Sequence, residues 1–183
     1  MRLGLLFFEE LDMYNEPVSY FITFSTYGTR LHGDARGSVF EYQGTKKIIG
    51  YDQKLHNYKS SIMKYPQVNF EKSQRVIVLE TISKHCQVKN WHLFAVHVRS
   101  NHIHMLVKSK LHPEKVLNEI KAWSTRKLRE AGHDFEKVWT KSGSTQYIYT
   151  IEKLKEKVKY VILEQGEMME YYIDERFAGM LLQ

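Results

Sequence analysis

The chain has 183 residues, a net charge of +6 and a single cysteine, Cys86. That length suits one domain with a sizeable core. The lone thiol excludes an intramolecular disulfide and points to a reducing, cytoplasmic setting, and no run of about 18 apolar residues offers a membrane span. A basic surface with twelve tyrosines suits nucleic acid, through phosphate neutralisation and base stacking.

Residues 1–16 read as an N-terminal tail. Met1 to Phe8 is apolar but short, and Glu9, Glu10 and Asp12 follow at once, unlike a secretory signal; Met13 is an alternative start. Tyr20 to Thr26 reads as a buried strand, and Tyr27 to Gly37 as a loop broken by Gly28, Gly33 and Gly37. Within it, Arg30, His32 and Arg36 either touch phosphate or are simply solvated. Ser38 to Phe70 has no clear period and reads as an insertion, partly helical, with Lys46, Lys47, Lys54 and Lys59 on its surface. Glu71 to Lys84 has helical spacing in Val76, Leu79, Ile82 and Ser83, and Asn90 closes that segment.

Two strands follow, Trp91 to Val98 and His102 to Lys108, joined by the turn Arg99-Ser100-Asn101. Pro113 opens a helix that runs to about Ala131 and stops at Gly132. Its inner stripe is Val116, Ile120, Trp123 and Lys127/Leu128, and Arg126, Lys127 and Arg129 make its end basic. Trp139 to Tyr149 is loop and then strand, with Gly143 as the break. Thr150 caps a helix over Ile151 to about Gln165, ended by Gly166. Glu167 to Gln183 is amphipathic and reads as helical. The order β, insertion, α, β, β, α, β, α predicts an α+β fold: a ferredoxin-like βαββαβ core with an antiparallel sheet and an added C-terminal helix.

The sharpest stretch is Val98 to Val107. Side chains alternate along a strand, so His102 and His104 share a face, roughly 7 Å apart, while Ile103 points into the opposite layer. Two imidazoles on one face can hold one cation, although the same pattern also occurs on ordinary polar sheet surfaces. The last helix carries Tyr160 and Glu164 one turn apart. Both lie beside the core stripe of Leu154, Val158, Val161 and Ile162, near Lys153 and Lys157. That pair can complete a site with the histidines, Glu164 as a third ligand and Tyr160 as a nucleophile. Tyr27, Trp123, Trp139 and Tyr149 are either core aromatics or platforms for bases.

The stretch VRSNHIHMLV (98–107) resembles the histidine–bulky–histidine motif of single-tyrosine HUH transposases, the insertion-sequence 200 type and their REP-associated tyrosine transposase relatives. YFITFSTYGTRLHGDARGSV resembles the opening strand and loop of one transposase-like branch of that family. KAWSTRKLRE resembles the helix after the motif, and VWTKSGSTQYI with VKYVILEQG the last strand and the tyrosine helix. The resemblance spans about residues 18–167, with 17–167 as a catalytic domain of the HUH endonuclease type and 168–183 as an extension.

It implies a DNA transposase that cuts and rejoins single-stranded DNA through a 5′-phosphotyrosine on Tyr160. A divalent cation, Mg²⁺ or Mn²⁺, would be held by His102, His104 and Glu164, or by Gln165 in place of Glu164, since many members carry an amide there. Arg30, Arg36, Asn101, Trp123, Arg126, Lys153 and Lys157 are the expected nucleic-acid contacts. The partner would be single-stranded DNA with hairpin or element-end sequences, and the protein either a monomer or a homodimer whose tyrosine helix serves the partner's histidines. The Tyr-Ile-x-x-Asn-Pro ending of the REP-associated branch is absent, so REP specificity is not implied. The alternatives are a replication-initiator or relaxase type of HUH nickase, a catalytically silent single-strand binder, and a structural metal protein.

Overall fold

The computed structural model describes residues 16–35, 37–42 and 45–179. The tail with Met13, Arg36, the side chains of Lys46 and Lys47, and residues 180–183 lie outside the described residues. Among the described residues, seven strands and five helices follow one another: β1 (Ser19–Thr26), β2 (Ser38–Tyr42), β3 (Thr45–Ile49), α1 (Gln53–Ser61), α2 (Lys72–Val88), β4 (His92–Val98), β5 (His102–Lys108), α3 (Pro113–Glu130), β6 (Trp139–Ile148), α4 (Ile151–Leu163), β7 (Glu170–Ile173) and α5 (Glu175–Ala178). The main sheet has the order β6-β1-β5-β4-β7, antiparallel throughout. Its first four strands give the ferredoxin-like βαββαβ arrangement, and β7 lies outside β4. No helix among the described residues is long and apolar enough to cross a membrane.

Strand alternation divides the core into two layers. Tyr20, Ile22 and Phe24 of β1 and Ile103, Met105 and Val107 of β5 join one apolar cluster with Val78, Ile82 and Cys86 of α2 and Val116, Ile120 and Leu128 of α3. Phe21 and Leu106 face the other way, onto Leu154, Val158, Val161 and Ile162 of α4. Phe94 and Ala95 both join this second cluster, because the β4–β5 register shifts between Leu93 and Ala95. The Thr150 hydroxyl accepts the Lys153 N–H and caps α4 as expected. At the start of α2 the Glu71 N–H donates to Gln74 Oε1 at 2.9 Å.

Five expectations need correction. The segment 38–70 begins with the β2–β3 hairpin before its helix; its far end, Val68 and Phe70, is buried in the main core. The buried residues of α2 are Gln74, Val78, Ile82, His85 and Cys86, so Val76, Leu79 and Ser83 only flank the stripe. On α3, Trp123 is not an inner residue: it is 38% exposed and lies against the His85 ring, while Lys121 and Ser124 face inward. The Lys121 ammonium has a reason to be inside. It donates to the carbonyls of Thr140 (2.9 Å) and Ser142 (3.1 Å), and burial pushes its pKa down to about 8.

Fourth, Gly143 does not interrupt a strand but lies within β6. A Cβ there would stand 2.7 Å from the Thr23 carbonyl oxygen and 2.8 Å from Leu117 Cδ2, so only glycine lets β6 approach β1 and α3 this closely. Fifth, residues 167–183 are not one amphipathic helix. β7 pairs with β4, and Phe177 of the short α5 is buried against Phe94. Pairing to an open sheet edge satisfies the backbone of Glu170–Ile173 in a way that an isolated short helix would not.

Gly143→Ala should destabilise the fold by about 1–3 kcal/mol through overpacking, read as a lower denaturation midpoint. An unchanged midpoint would show that β6 has slack at this position.

Candidate active site

The site is built on the α4-facing side of the sheet. Register places Thr23 opposite His104 and Ser25 opposite His102 across the β1–β5 pair. Tyr20, Ile22 and Phe24 of β1 thus cover one face, while Phe21, Thr23 and Ser25 share the other with the histidines. The His102 and His104 rings lie 4.8 Å apart, centre to centre, nearly at right angles. Each ring is oriented by an oxygen. His104 Nδ1 is 2.8 Å from Thr23 Oγ1, and His102 Nδ1 is 2.6 Å from Asn101 Oδ1. An amide oxygen only accepts, so His102 carries its proton on Nδ1 and its lone pair on Nε2.

His104 is buried, stacked at 5.6 Å on Phe21. Burial, and then the neighbouring His102, push its pKa down to about 3, so the ring is neutral throughout the physiological range. A neutral imidazole has a lone pair to give, which is what a ligand to a cation requires.

Tyr160 reaches the same place from α4. Its ring is half-buried, 5.7 Å from His104 and edge-on to Phe21 at 6.0 Å. Leu154, Val158, Val161 and Ile162 fill the buried stripe of α4, which leaves Tyr160 and Lys157 at its border. The Lys157 ammonium lies 4.9 Å from the Phe21 ring centre and 5.1 Å from that of Tyr160. The pocket between these elements is lined by Thr23, Ser25, Thr29, Arg30, Asn101, His102, His104, Tyr160 and Gln165.

The helix ends earlier than its pattern implied. Leu163 is its last residue and Glu164 its C-cap. Glu164 is exposed and takes no part in the lining, whereas Gln165 turns inward. The Gln165 amide donates to the Tyr160 carbonyl at 3.0 Å, and its side chain also hydrogen-bonds the His104 ring. Of the two alternatives for a third ligand, the geometry therefore brings Gln165 to the histidines and leaves Glu164 outside. Among the described residues no cluster of three or more His, Cys, Asp or Glu side chains exists. The donor set that fits a divalent cation here is two imidazoles and one amide oxygen.

The other expected contacts divide by position. Arg30 and Asn101 line the pocket and Lys157 borders it, while Lys153 is exposed one turn further along α4. Trp123 and Arg126 are not at the site: they pair with each other at 4.7 Å on α3, across the sheet. Trp139 is a core residue whose indole N–H donates to the Lys121 carbonyl. Tyr27 is half-buried with its hydroxyl accepting the Lys64 N–H, and Tyr149 is exposed and stacked on Tyr147. Thr23, Ser25 and Thr29 were missed. The alternation of Phe21, Thr23 and Ser25 against Tyr20, Ile22 and Phe24 is a usable signal for the first two, once the partner strand is known.

Known proteins now bear on this geometry. The pattern describing IS200-like transposases matches residues 56–175, a stretch holding both histidines, Tyr160 and Gln165. Among solved structures, the chain is similar to a REP-associated tyrosine transposase bound to a REP hairpin (14% identity, 82% of this chain and 68% of that one, TM-score 0.48). It is also similar to a candidate transposase from Deinococcus radiodurans (11% identity, 81% of this chain and 92% of that one, TM-score 0.41). No curated protein matches the chain. With well over half of its length matched by the family pattern, the chain belongs to the IS200-like transposase family.

Proposed function

We propose that the chain cuts and rejoins single-stranded DNA, with Tyr160 as the nucleophile. The observation that carries this reading is the convergence, within one chain, of Tyr160 from α4 with His102 and His104 from β5. His102, His104 and Gln165 would hold Mg²⁺ or Mn²⁺, oxygen and imidazole donors that such ions accept, Mn²⁺ better than Mg²⁺ where nitrogen is involved. When bound, the ion withdraws charge from the non-bridging oxygens of the scissile phosphate.

The protein groups do the rest. Thr23 and Asn101 fix the two rings through their Nδ1 atoms, which directs Nε2 to the ligand position. A neutral phenol is a weak nucleophile, so position must supply much of the rate. The Tyr160 oxygen bonds to phosphorus as the bond to the 3′-oxygen breaks. The phenol loses its proton and the 3′-oxygen gains one, leaving a 5′-phosphotyrosine and a free 3′-hydroxyl. A 3′-hydroxyl from a second strand end reverses the step and joins the two. Arg30 in the pocket lining and Lys157 beside the Tyr160 ring supply positive charge for the flanking phosphates. A tyrosine fixed on a helix wall favours an unpaired strand that can bend into the pocket.

Incubation with a random pool of single-stranded oligonucleotides and Mn²⁺ should give a nucleotide adduct on Tyr160 by mass spectrometry. Tyr160→Phe should form none while binding the pool as before, and excess EDTA should stop the reaction; full cleavage in either case overturns the assignment concerned. A joined product on adding a second 3′-end separates a transposase from a nickase.

Gln165→Ala should raise the Mn²⁺ concentration for half-maximal cleavage by about 10–100-fold, while Glu164→Ala should stay near wild type. The opposite ranking would return the ligand role to Glu164.

A further inference from the structure

His97 lies on β4, fully buried and outside the pocket lining. It sits opposite His104 in the β4–β5 pairing, and its ring reaches α4. Its immediate layer is apolar, with Phe94, Ala95 and Leu106. A polar ring buried there is costly unless both nitrogens are partnered, and both are. The Met169 N–H donates to Nε2 at 3.1 Å. The proton of this neutral ring is therefore on Nδ1, which donates to the Val161 carbonyl at 2.9 Å.

Val161 follows Tyr160, and its carbonyl is one of those that a helix leaves unsatisfied in its last turn. Apolar contacts are non-directional, so Val158 and Ile162 set the rotation of α4 but tolerate small sliding. A hydrogen bond to a last-turn carbonyl does not. The same ring also holds the chain that leaves the helix, since Met169 lies just before β7.

The geometry points to His97 as a positioning residue. Its Nδ1–H bond sets how far the last turn of α4, and with it the Tyr160 hydroxyl, stands from His104. This rests on the reading of Tyr160 as nucleophile.

Three variants test it. His97→Asn places an amide N–H near the Nδ1 position and keeps the bond to Val161. His97→Gln reaches the Nε2 position instead, and His97→Leu keeps neither bond. The measurements are the rate of adduct formation at saturating oligonucleotide with Mn²⁺, the Kd for that oligonucleotide, and amide exchange in the last turn of α4. Misplacement of the nucleophile should slow the Leu and Gln variants by about 100-fold with Kd nearly unchanged, while His97→Asn keeps most of the rate. If His97→Leu does not fold, the contrast between Asn and Gln decides. A wild-type rate in His97→Gln, equal slowing in Asn and Gln, or a Kd that worsens in step with the rate would each overturn the positioning role. If the wild-type protein forms no adduct, the nucleophile reading fails on its own. Amide exchange then decides: about tenfold faster exchange in the last turn of α4 for Gln but not for Asn keeps His97 as the pin of that turn, and equal exchange removes it.

Discussion

The register of β5 between β1 and β4 is the constraint on which the site depends. Ile103, Met105 and Val107 are fully buried against α2 and α3, each contributing about 1.5–3 kcal/mol by leaving water. A slip of one residue would turn all three to the α4-facing side and drive His102 and His104 into that core. The apolar face of the strand therefore fixes the chemistry of the other face. The same register puts Thr23 beside His104 on one flank and His97 on the other, so the groups that orient the site are chosen by strand pairing too.

The tyrosine is positioned by a different kind of force. Rotation of α4 follows from its buried stripe, and rotation alone puts Tyr160 at the border of the sheet. The axial position is another matter. Three polar contacts converge on the end of this helix: His97 on the Val161 carbonyl, Gln165 on the Tyr160 carbonyl, and Arg99 on the Glu167 carbonyl at 2.7 Å. His97 from β4 donates to a last-turn carbonyl, Gln165 adds a second donor to the Tyr160 carbonyl that the Glu164 N–H already reaches, and Arg99 from the β4–β5 turn ties down the segment after the helix. Tying down the helix end and placing the proposed nucleophile are one structural task.

Much of this was legible in the sequence, and the rest fails for identifiable reasons. The His-x-His pair and Tyr160 stand in regular elements whose periods are local properties, so their faces follow from spacing. Thr150 and Pro113 mark helix starts by chemistry that needs no tertiary context. Glu164 shows the limit. A tyrosine and a residue four positions later share a face only while the helix continues, and α4 stops at Leu163, two residues before the Gln165 end that the glycine at 166 implied. The next residue then swings inward in place of the one a turn away. Thr23 was hidden because its role depends on a partner 81 residues distant. β7 was hidden because a four-residue strand is recognisable only against the edge it completes.

The border position of the site also resolves two conflicting demands. The proposed function asks for an imidazole that is always neutral, which burial secures, and for access by a DNA strand. Helix α4 covers Phe94, Ala95 and Leu106 on β4 and β5 but leaves the same face of β6 open, where Ser144 and Gln146 are exposed opposite Thr23 and Phe21. His104 falls on the covered side of that line, and Tyr160 and His102, both half-buried, lie along it. Moving the helix one strand toward β6 would close the approach. Moving it the other way would wet His104 and raise its pKa toward that of a free imidazole, so that part of the population would be protonated near neutral pH. The placement of a single helix across a five-stranded sheet thus sets both the protonation state of His104, a ligand in the proposed function, and the way into the pocket.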